Sequence, residues 1–77
     1  MKTIPTTHNT IPAKLKRVFM FSPKRTMGIE VHALYQNSKG FILEHYMLVS
    51  GKLEKYGSYL SDNINDIMYD VNYSKSN

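Results

Sequence analysis

Three histidines, His8, His32 and His45, are the residues of this 77-residue chain best suited to acid–base chemistry, because imidazole titrates near neutrality. No cysteine is present, so thiolate ligation, thiol nucleophiles and disulfides are all excluded. His32 and His45 fall on opposite faces of a predicted hairpin and His8 lies far off in an N-terminal arm, so the spacing predicts no metal site and no cofactor. His32 instead reads as the neighbour of Glu44. That pair, with Lys16 or Arg17 clamping a phosphate, would supply the general acid and base of a small ribonuclease. The serines at 22, 38, 50, 58 and 61 sit in no Gly-x-Ser-x-Gly elbow, and the four glycines are dispersed rather than gathered into a phosphate loop. No catalytic residue is assigned, and the expectation is a protein that is not an enzyme.

Two charged constellations point to partners instead. Asp62, Asp66 and Asp70 recur every four residues and would stack on one side of a helix, with Tyr69 and Tyr73 beside them. Such an acidic surface edged by tyrosine suits docking on a basic groove of another protein. Lys14, Lys16, Arg17, Lys24 and Arg25 form a basic cluster close to Phe19 and Phe21, a combination that could hold phosphates and stack bases. A nucleic-acid-binding module is therefore the alternative function. The two constellations belong to oppositely charged halves: seven Lys or Arg against Glu30 alone before residue 40, three Lys against five acids after it. Charge distribution of this kind governs steering and orientation rather than fold.

The elements that must position these residues follow from hydrophobic period. Residues 1–14 carry two prolines and no periodicity and read as an extended arm. From Leu15 an alternating run ends at Ser22-Pro23, Met27–Tyr35 alternates cleanly, and Phe41–Ser50 resumes after turn chemistry at Gln36–Gly40. Ser50-Gly51 marks another tight turn, and a short fourth strand is expected over 52–58. Gly57, Ser58 and Ser61 argue against one long helix from 52 to 73. A helix is expected instead after Ser61 or Asp62 as N-cap, its apolar stripe formed by Ile64, Ile67, Met68 and Val71. Residues 15–73 thus make one α+β domain, an antiparallel three- to four-stranded β-meander with a C-terminal helix on one face, and residues 74–77 fray. A chain this small buries only about 60% of its unfolded surface, so each apolar side chain matters.

Parity then assigns the faces. Pairing Tyr35 with Phe41, Ala33 with Leu43, Val31 with His45 and Ile29 with Met47 gathers apolar side chains onto one surface, where Ile29, Val31, Leu43 and Met47 would receive the helix. The opposite surface collects Leu34, Ile42, Tyr46 and Leu48. Uncovered, that surface is the docking place for a larger protein or for a second copy of the chain.

Lys, Asn, Ile and Tyr are abundant while Ala occurs only at 13 and 33 and Arg only at 17 and 25, a usage that points to an AT-rich genome such as a phage, a mobile element or a low-GC bacterium. A cysteine-free chain of this size with a meander from Leu15 and one C-terminal helix resembles the small phage-encoded inhibitors of host enzymes and defence complexes, including some anti-CRISPR proteins of type I systems. The resemblance spans residues 15–73 by element pattern. It implies a stoichiometric blocker that binds a large host protein or complex through strand edges, the open sheet face or the charged helix. No apolar run is long enough to span a bilayer and no secretory h-region is evident, so the expected compartment is the host cytoplasm.

Overall fold

Runs of alternating β-branched, aromatic and polar residues form four strands, β1 (Lys14–Phe21), β2 (Ile29–Asn37), β3 (Gly40–Val49) and β4 (Lys52–Ser61), followed by one helix, α1 (Ile64–Ser76). The computed structural model describes residues 4–8, 10–24 and 28–76. Each strand pairs antiparallel with the next, in the order β1-β2-β3-β4, so the chain is an α+β meander with one C-terminal helix, as its periodicity predicts. Arg25 and Met27, which the sequence reading used, lie outside the described residues.

The hairpin between β2 and β3 is tighter than the turn composition suggests. Asn37 pairs with Gly40, leaving a two-residue loop of Ser38 and Lys39. Asn37 Oδ1 accepts the amides of Lys39 and Gly40, at 2.9 and 3.0 Å, so one side chain closes the turn. Gly40 is required there: its φ is +153°, and a Cβ would meet the Ser61 carbonyl at 2.8 Å. The β3–β4 turn places Ser50 and Gly51 both at positive φ, the pattern of a two-residue hairpin loop.

This closure shifts the expected β2–β3 pairing by one residue, and a one-residue slip exchanges the faces of one strand. His32 lies directly opposite His45, Ala33 opposite Glu44 and Leu34 opposite Leu43. The two histidines therefore share a face, and His32 is not the neighbour of Glu44. Bulges alter the outer strands as well. One at Lys16 separates Leu15, on the face of Tyr35, from Phe19 and Phe21 on the other, and one at Tyr56 hands that ring to the face of His45.

Two apolar clusters result, one on each side of the sheet. On the helix side Leu34 and Leu43 pack with Ile67 and Val71, flanked by Phe19, Phe21 and Phe41. Ile29 and Val31 belong to the other face, contrary to the expected helix seat. There Ala13, Ala33, Tyr35 and Ile42 form the second cluster, and Ile4 and Ile11 of the N-terminal arm pack on it beside Leu15 and Tyr46. The described part of the arm is bent rather than extended, with His8 N–H donating to the Ala13 carbonyl, and it folds back on the sheet. Leu15 N–H donates to the Thr6 carbonyl, Tyr35 Oη to the Pro5 carbonyl and Asn37 Nδ2 to the Pro12 carbonyl.

The helix begins later than the sequence suggests and ends later too. Asn63 is its N-cap, with Oδ1 accepting the Asn65 amide at 2.9 Å, and α1 runs to Ser76 without the expected fraying at Ser74. Among the described residues no helix is long and apolar enough to cross a membrane. Ile67 is fully buried whereas Ile64 is 40% exposed. Ile67→Ala should therefore cost about 2–5 kcal/mol in urea denaturation, and Ile64→Ala no more than about 0.5 kcal/mol; equal losses would show that α1 is seated on a different stripe.

Candidate functional site

Two buried polar networks and one open cleft hold most of the chemistry-bearing side chains. On the helix side Glu30 and His32 are both fully buried. Burying a carboxylate demands compensating hydrogen bonds, and among the described residues Glu30 Oε1 accepts from Tyr56 Oη at 2.7 Å and from His32 Nε2 at 3.2 Å. A carboxylate can only accept, so the His32 proton sits on Nε2, and its buried Nδ1 lone pair has no hydrogen-bond partner among the described residues. The His32 ring meets His45 edge to face with centroids 4.3 Å apart, while Tyr56 stacks over the outer face of His45. His45 Nε2–H donates to Asp70 Oδ2 at 2.8 Å, joining the network to α1. Burial, with the neighbouring His45 second, holds the His32 imidazole below its ordinary titration range.

On the arm side His8 Nδ1 accepts the Ile11 amide at 3.1 Å, so its proton is on Nε2, which donates to Glu44 Oε2. Lys55 Nζ approaches the same oxygen at 3.6 Å. The His8 ring also packs edge-on to Tyr35. Burial, with Tyr46 and Glu44 nearby, pushes the Tyr35 phenol up to about 12. This network fastens the arm over the sheet. It places Glu44 on the opposite face from His32, which dismantles the expected His32–Glu44 acid–base pair.

The third feature lies between β4 and α1. Tyr59, Asp66, Tyr69, Asp70 and Tyr73 line an open cleft of about 310 Å³. Tyr59 pairs with Leu43 and so shares the helix side of the sheet, and Tyr69 and Tyr73, one helical turn apart, have rings 10° from parallel with centroids at 6.3 Å. All three rings reach solvent, at 38, 67 and 62% exposure. Asp66 Oδ2 accepts Ser61 Oγ at 2.9 Å, which orients the carboxylate from the start of the helix.

The expected acidic stripe is thus present in part. Asp66, Asp70, Tyr69 and Tyr73 come together, whereas Asp62 precedes the helix and lines a different cleft beside Ile11, Phe41 and Leu60. Tyr59 was not singled out by sequence; reading the fourth strand past residue 58 would have placed it on the helix side. The expected open sheet face does not exist as drawn. Leu34 is in the helix-side core, Ile42 is buried beneath the arm, Tyr46 packs against that arm-side cluster, and Leu48 lies between Ile29 and Leu53. The surface assigned to a partner or second copy is in large part filled by the chain's own arm. Of the basic cluster, Lys14, Lys16, Arg17 and Lys24 are exposed and Arg25 lies outside the described residues. Phe19 and Phe21 pack against the α1 core rather than forming a stacking platform, and Arg17 lies 4.8 Å over the Phe19 ring. Comparison with known proteins finds no matching family model, no matching curated protein and no matching solved structure.

The His32 environment sets a pH dependence whose sign is fixed. An unfolded histidine takes a proton near its ordinary value of 6.5 whereas folded His32 resists it, so below that pH the unfolded state binds more protons. The stabilising contribution is complete above 6.5 and is lost as pH falls below it. Urea midpoints between about pH 7 and pH 5 should fall less steeply for His32→Gln than for the parent chain; parallel slopes would remove His32 as the cause.

Proposed function

We propose that this chain is a small non-enzymatic binding protein that docks the tyrosine-lined cleft between β4 and α1 onto a larger protein and blocks it sterically. The carrying observation is the gathering of three solvent-exposed tyrosines with two carboxylates in one cleft. Tyrosine brings large contact area at low entropic cost, and contacts of this type dominate protein interfaces. The rest of the surface supports the same choice. The arm occupies much of the second sheet face, and the phenylalanines that might have served a nucleic acid are packed under α1. The exposed cations of β1 serve to steer the encounter rather than to carry affinity.

In this reading the chain belongs to the same functional class as phage-encoded inhibitors of host or defence complexes, acting in the cytoplasm of the host. Its effect is stoichiometric, because occlusion lasts only while the inhibitor stays bound.

Asp70 is a poor probe of the interface, since removing its carboxylate also strips His45 of a partner. Tyr69 and Asp66 are the cleaner choice. A tagged chain recovered from the cells that make it should bring down one partner in near-stoichiometric amount, and Tyr69→Ala combined with Asp66→Asn, which keeps an acceptor for Ser61, should weaken that association at least about tenfold while a cooperative thermal melt shows that the variant is folded. Undiminished association of the double variant would remove the cleft from the interface.

A further inference from the structure

We propose that the β4–α1 cleft receives an arginine side chain of the partner. The inference rests on the docking reading above and adds the chemistry of what is docked. A tyrosine ring presents a negative face, so three rings around one space favour a cation over an anion or a neutral group. The two carboxylates are already aimed. Asp66 Oδ2 is held by Ser61 Oγ and Asp70 Oδ2 by His45 Nε2–H, which fixes each side chain, and among the described residues the second oxygen of each accepts no hydrogen bond and faces an incoming donor. Among the described residues no Lys or Arg makes an ion pair with either carboxylate.

The choice among cations follows from donors and shape. A quaternary ammonium would satisfy the rings but has no N–H to give to Asp66 or Asp70. A lysine ammonium has the donors but is compact and strongly hydrated, and it stacks poorly. A guanidinium is planar, weakly hydrated and carries five donors, so it stacks on a tyrosine face while its edge bonds to carboxylate. The exposed Tyr69 ring at the cleft provides that face. On a chain whose net charge is +4, a local site of opposite sign also favours one orientation, because the partner's cation is repelled by the basic N-terminal half and drawn here.

The test uses the full chain and two short peptides, acetyl-Gly-Arg-Gly-amide and its Lys analogue, followed by amide and aromatic chemical shifts. The arginine peptide should give saturable shifts at Tyr59, Asp66, Tyr69 and Asp70, with affinity at least about fivefold above the lysine peptide. Asp66→Asn, which keeps an acceptor for Ser61 but removes the charge, and Tyr69→Leu should each abolish that preference. Equal affinity for the two peptides, shifts confined to other residues, or a preference that survives both substitutions overturns the proposal. If Tyr69→Ala loses the captured partner while neither peptide moves the cleft, docking stands and the arginine assignment falls. If the arginine peptide binds selectively while partner capture ignores the tyrosines, the site stands and the docking reading falls.

Discussion

The side-chain amide of Asn37 is the contact on which the arrangement of this molecule depends. Its oxygen accepts two backbone amides across the Ser38–Lys39 turn and its nitrogen donates to the Pro12 carbonyl, so one residue fixes the β2–β3 register and ties down the arm. Register decides everything that follows, because side chains alternate between faces with a period of two. With Asn37 opposite Gly40, Glu30, His32 and His45 are sent under the helix side, while Glu44 and Tyr35 are sent under the arm. A turn longer by one residue would have exchanged those assignments on one strand and left each buried carboxylate facing the wrong partners.

That dependence explains what could and could not be read from the chain. The meander and its strands were legible because they rest on local period and on turn residues such as Ser50-Gly51, and of the expected α1 stripe Ile67 and Val71 are buried whereas Ile64 is exposed. The pairing of β2 with β3 was not. Counting apolar pairs favours the slipped register, since it brings Tyr35 to Phe41 and Ala33 to Leu43, whereas the actual one places Ala33 opposite Glu44 and buries Glu30 and His32. What makes the actual register favourable is a set of hydrogen bonds to residues distant in sequence, Tyr56 for Glu30 and His8 for Glu44. No local pattern announces them. The Asp66, Asp70, Tyr69 and Tyr73 surface survived because helical spacing alone gathers those four, and Asp62 dropped out because the cap lies one residue beyond it, at Asn63.

The two faces of the sheet solve the same problem by different means. Each bears a carboxylate with almost no access to water, and each supplies a histidine and a second group to it: His32 and Tyr56 for Glu30, His8 and Lys55 for Glu44. Buried groups of this kind add little net stability when replaced by apolar ones of equal shape, but they penalise strongly any arrangement that leaves one unpaired. Their contribution is selectivity among registers. Among the described residues a core of nine buried apolar side chains leaves little else to discriminate between alternative pairings.

The bulges at Lys16 and Tyr56 have a consequence for how other molecules can approach. Both outermost strands are interrupted, and both carry charges along their length, Lys14, Lys16 and Arg17 on one margin and Lys52, Glu54 and Lys55 on the other. A kinked, charged margin resists continuation of the hydrogen-bonded ladder by a foreign strand or by another copy. Under the proposed docking, contact would thereby fall to the side chains the molecule presents rather than to main-chain annexation, with its indifference to sequence.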